Sequence, residues 1–101
     1  MKNKAYIINF DIEAKENIDY SKFHDILTKD KGIINWWHYL KSSYIIVVGD
    51  NVNANNISNF VRANLKEKLF FVSQLNLADH DGWLPKEAWT WILEAINLTQ
   101  D

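Results

Sequence analysis

Asp11 ends a run of β-type residues, KAYIINFDI at 4–12. A carboxylate at a strand end is accessible, and so open to a catalytic role. The plainer role for an aspartate there is to cap a turn through its side chain. His38 has an imidazole that titrates in the range a general base needs, although a histidine set among WWHY is also a packing residue. His24 stands on a helix flank, where an imidazole is usually packed and hydrogen-bonded. His80 lies in DHDG, which lacks the ligand pattern and length of a calcium loop and so is expected to be a turn. Trp36, Trp37, Trp83, Trp89 and Trp91 have the rings to stack nucleic-acid bases, but stacking platforms come with surrounding positive charge. Core and interface suit them better, and Trp36, Trp37, Trp89 and Trp91 are assigned to an interface. The chain has no nucleophile elbow, phosphate-binding glycine loop or cysteine, which excludes thiolate metal sites and disulfides.

These residues must be positioned by the elements around them. In the first strand Tyr6, Ile8, Phe10 and Ile12 alternate with Ala5, Ile7, Asn9 and Asp11, so both faces are apolar until its end. A polar loop at 13–19 leads to a helix with Tyr20, Phe23, Ile26 and Leu27 on one stripe, started by Asp19 or Ser21 and stopped near Gly32. A hairpin follows at 33–49, turning at Lys41 and Ser42. Ile34, Trp36, His38 and Leu40 are expected on one face of its first strand, and Ile33, Asn35, Trp37 and Tyr39 on the other. Its second strand sets Tyr44, Ile46 and Val48 against Ile45 and Val47. Asn53 caps a second helix carrying Ile57, Phe60, Val61 and Leu65. Lys66, Glu67 and Lys68 read as a solvated connector to a last strand at 69–77. Leu84-Pro85 then opens a helix to about residue 97 that is apolar over most of its circumference and must be buried.

The order strand, helix, strand, strand, helix, strand, with right-handed crossovers, predicts an α+β, ferredoxin-like βαββαβ antiparallel sheet with an additional Trp-rich C-terminal helix, in one domain. The first and third strands are then central. Two helices cover one face, so the other requires the C-terminal helix, a second copy of the chain, or both.

Composition sets the outer bounds. With 101 residues, 11 Lys and Arg against 13 Asp and Glu, and Arg62 as its one arginine, the chain lacks the basic surplus of proteins that grip phosphates. No apolar run is long enough to span a membrane, and acidic residues arrive too early for a signal peptide, so a cytoplasmic location is expected.

The element order, the strand ending NFDI at 9–12, the DYSKF helix start at 19–23 and the WWHYLKSSYIIVV hairpin together resemble the small SinR-like proteins, relatives of the second core CRISPR-associated adaptation protein and of VapD-like toxins. The resemblance covers roughly the first three quarters of the chain and rests on element order more than on a strict motif. It implies a bacterial homodimer in which a strand-end aspartate from each subunit, matched here by Asp11, holds a divalent metal such as Mg²⁺. Ser42 matches a serine that opens the third strand in those relatives, and Tyr44 an aromatic position. The chain also departs from them: Glu13 and Glu16 follow Asp11 where basic residues are usual, and GWLPKEAWTWI replaces an extra strand used in dimerisation. The expected function is therefore a homodimeric binding or accessory protein in nucleic-acid metabolism or defence, more a binder than an enzyme. The alternatives are a metal-dependent endoribonuclease using Asp11 from both subunits, and an antitoxin or immunity-type module that binds a protein partner.

Overall fold

A computed structural model describes residues 2–11, 20–65 and 68–99. The chain is α+β, with four antiparallel strands and three helices in the order β1 (Lys4–Phe10), α1 (Tyr20–Lys29), β2 (Ile33–Leu40), β3 (Ser43–Val48), α2 (Ala54–Asn64), β4 (Phe70–Leu75) and α3 (Lys86–Thr99). The strands lie in the order β2-β3-β1-β4, which makes β1 and β3 interior. All six residues of β3 are buried, as a strand apolar on both faces requires. Ile12, the proposed cap Asp19 and the connector residues Lys66 and Glu67 lie outside the described residues.

The sheet separates two cores. On one face Tyr6, Ile8, Phe10, Tyr44, Ile46 and Val48 pack under Phe23 and Leu27 of α1 and Ile57, Val61 and Leu65 around α2. Phe10, Phe23 and Tyr44 meet edge to face with centroids 5.4–6.0 Å apart, a favoured aromatic arrangement. On the other face Ala5, Trp37, Ile45, Val47 and Leu77 pack under Ala88, Ile92 and Ala95 of α3. The C-terminal helix thus covers its own sheet.

Local chemistry fixes the element ends. Asn53 caps α2: its side chain accepts from the Asn56 N–H while the Asn56 side chain accepts from the Asn53 N–H, a reciprocal box that satisfies two otherwise orphaned groups. α3 starts at Lys86, one residue later than Pro85, whose carbonyl accepts from the Ala88 N–H at 3.0 Å.

Three expectations are corrected. Ile33 pairs with Val48 and Asn35 with Val47, so an extra residue, Ile34, bulges from β2. Because side chains alternate with period two, the bulge moves Ile33 to the α1–α2 side, opposite Asn35 and Trp37. A second irregularity between Trp37 and Leu40 pairs Leu40 with Ser43, which places Leu40 on the α3 side, away from Trp36 and His38. Lys68 is buried rather than solvated; it lines a cleft with Ala54, Ser58 and Arg62 of α2. Among the described residues no helix is long and apolar enough to cross a membrane.

Candidate functional site

The hairpin turn brings Asp11, His38 and Ser42 to one end of the sheet. The Ser42 carbonyl accepts from the Phe10 N–H at 2.8 Å, and the Leu69 carbonyl from the Asp11 N–H at 3.0 Å. Asp11 is exposed and Ser42 half-buried. Asp11 therefore stands just past β1, its backbone tied to the residue that precedes β4.

His38 joins a cluster on the α1 side. Its Nδ1–H donates to the Ser43 carbonyl at 2.9 Å, since a carbonyl can only accept. The neutral ring then carries its lone pair on Nε2, the tautomer a general base or metal ligand needs. The His38 ring stacks on Tyr44, centroids 3.9 Å apart and planes within 4°. Tyr44 shares a 2.7 Å hydrogen bond with His24 Nδ1, and His24 meets Trp36 edge to face at 5.0 Å. His24 and Tyr44 thus belong to the same constellation as His38. The sequence marked His24 as a helix-flank imidazole and Tyr44 as a matched aromatic position, but did not set either beside His38.

Burial pushes the Tyr44 hydroxyl up from 10.0 to about 12, so it stays protonated and available to His24 across the physiological range. The sign of the consequence follows from linkage. The neutral phenol is favoured by the fold, so its contribution is complete below pH 10.0, the unfolded value, and is lost as pH rises through about 12. Tyr44→Phe is expected to lose less stability than the wild type on passing from below pH 10 to above it. Urea midpoints on both sides of that pH measure the difference, and parallel losses in the two proteins would contradict the assignment.

The α3 side of the same sheet end is open. One cross-strand row runs Leu40, Ser43, Asn9, Phe71 through β2, β3, β1 and β4. Its polar centre is closed internally, with the Ser43 hydroxyl donating to the Asn9 side-chain oxygen. Its two ends are apolar and exposed, Leu40 by 48 % and Phe71 by 65 %, and Leu69, beside Asp11, is 74 % exposed. The next rows inward, holding Trp37 and Ile45 and then Asn35, Val47, Ala5 and Leu75, are the ones α3 covers.

The tryptophans assigned to an interface divide between the faces. Trp37 is buried under α3. The Trp89 Nε1–H donates to the Leu84 carbonyl at 3.1 Å and the Trp91 Nε1–H to Asn35 Oδ1 at 2.9 Å, so both are engaged within the chain. Trp36 is partly exposed on the opposite face, against His24. His80 follows a turn at 77–78, with its Nδ1–H donating to the Leu77 carbonyl at 2.6 Å.

Mg²⁺ is a hard ion that needs several oxygen ligands. Asp11 supplies one exposed carboxylate, and among the described residues no group of three or more His, Asp or Glu gathers. The described residues of one copy do not by themselves fit a metal at Asp11. No protein-family model, curated protein or solved structure matches the chain.

Proposed function

We propose that the chain is a ferredoxin-like, SinR-like binding protein that acts as a homodimer in nucleic-acid metabolism or defence. The strand order with β1 and β3 interior, and α1 and α2 together on one face, supports the ferredoxin-like part of the reading. The resemblance of 9–12, 19–23 and the hairpin supports the SinR-like part. The observation that carries self-association is the exposure of Leu40 and Phe71 at the two ends of one cross-strand row, with Leu69 next to Asp11. Large apolar side chains gathered at one sheet end mark a contact surface. A two-fold axis near that row would bring the two Asp11 residues toward each other.

The chain has no cysteine, so Asp11→Cys gives a single thiol per copy. Mild oxidation, or a short bis-maleimide, is expected to link two copies, and Phe71→Glu in the same background is expected to prevent it. A protein that self-associates while the two thiols stay unlinked by either reagent would place Asp11 away from the seam.

A second reading, a metal-dependent endoribonuclease, is favoured by one feature: Asp11 is exposed and its backbone is fixed at that seam. Here single-stranded RNA should be degraded with Mg²⁺ or Mn²⁺ and Asp11→Ala should abolish the degradation. Equal residual activity in the variant would leave the binding role alone.

A further inference from the structure

Trp83 is 99 % exposed, more than any other large apolar side chain among the described residues. Its neighbour Leu84 faces the opposite situation, lining a groove of about 230 Å³ enclosed by the sheet, the loop at 76–84 and α3. Ile7, Trp37, Leu40, Ile45 and Trp89 line it with Leu84, and Asp79 and Asp81 border it. A dry apolar cavity of roughly 150 Å³ takes a benzene ring; this groove has the size for an indole.

The loop that carries the indole and walls the groove is fixed. Ala78 N–H donates to Asn76 Oδ1 at 3.1 Å, His80 Nδ1–H to the Leu77 carbonyl at 2.6 Å, and Gly82 N–H to Asp81 Oδ1 at 2.7 Å. The Trp89 indole closes it onto α3 through the Leu84 carbonyl. The receptor and the backbone that carries the anchor are therefore preorganised, which lowers the ordering cost of docking.

We propose that this groove receives Trp83 of a second copy, the two copies exchanging their indoles. The inference rests on the self-associating reading above and names its anchor. Three observations select a second copy as the occupant. The anchor and its receptor are adjacent, so both fall in one patch, which is what a two-fold, self-complementary interface requires. Leu40 belongs to both the groove lining and the cross-strand row, so the patch is continuous. Trp83, Leu40 and Tyr39 are exposed, the kind of large and aromatic side chains enriched at interfaces. Tryptophan seated in a pocket is also the commonest kind of binding hot spot.

The test compares wild type with Trp83→Ala by sedimentation over a range of concentrations. An exposed side chain contributes little to the fold, so at concentrations where both proteins are monomeric the variant should unfold at the wild-type urea midpoint, while its dimer constant weakens about tenfold or more. Hydroxyl-radical labelling of the wild type should find Trp83 protected at high concentration and reactive at low. Because the loops carry Asp79 and Asp81, which approach their counterparts on docking, added salt should tighten the association. A Trp83→Ala protein that dimerises as tightly as wild type, or a Trp83 equally reactive at all concentrations, overturns the exchange and leaves self-association standing. A wild type that stays monomeric overturns both and gives the groove to another occupant, such as a small apolar molecule.

Discussion

Trp37→Ala is expected to lower the unfolding free energy by about 3–5 kcal/mol, the range for truncating a large aromatic in a packed core. Trp37 is 3 % exposed and lies between β2 and α3 with Ile45, Val47, Ala88 and Ile92. It is the largest side chain in the second core, and the surrounding helix and sheet can only partly collapse into the space it leaves. Domains of this size are stable by about 5–15 kcal/mol in all, so the loss is a large fraction of the total. Its indole N–H is buried and has no hydrogen-bond partner among the described residues. Leaving such a donor unpaired costs about 1–3 kcal/mol. Trp37→Phe removes that donor with part of the ring, and should therefore cost much less than Trp37→Ala. Urea denaturation followed by circular dichroism measures both. A Trp37→Ala loss below about 1 kcal/mol would mean that α3 is not seated on the sheet as described.

Much of the architecture was legible because the sequence repeats its signal at every strand. Apolar residues on both faces of 4–10 and 43–48 require cover on both sides, and the polar Lys41-Ser42 corner and the Asn53 cap mark where elements turn and start. Two kinds of information were not in the pattern. The bulge at Ile34 and the irregularity before Leu40 depend on how β2 pairs with β3, and a period-two reading assigned Ile33 and Leu40 to the wrong faces. The extent of α3's cover was equally invisible, since alternation says that a face is apolar but not how far along the strands a helix reaches. The residues that end the cross-strand row, Leu40 and Phe71, are ordinary strand residues in the sequence and become a surface only once α3 has taken the rows beside them. For the candidate site, Asp11, His38 and Ser42 were named from type and position. Their grouping with His24 and Tyr44 came from tertiary packing alone.

Phe71→Glu is expected to raise the dimer dissociation constant by on the order of 30-fold or more. Loss of a large apolar contact costs about 2 kcal/mol, and the introduced carboxylate would be buried without a partner in the seam. Phe71 is 65 % exposed in the single chain, so the fold should tolerate the change, and Leu40→Glu at the other end of the row should act in the same direction. Sedimentation equilibrium of the wild type beside Phe71→Glu is the most direct test of self-association through this row. The expected result is a wild-type mass of twice 11.9 kDa that falls to 11.9 kDa in the variant at the same concentration. A wild type at 11.9 kDa throughout, or a dimer that Phe71→Glu and Leu40→Glu leave intact, would contradict it.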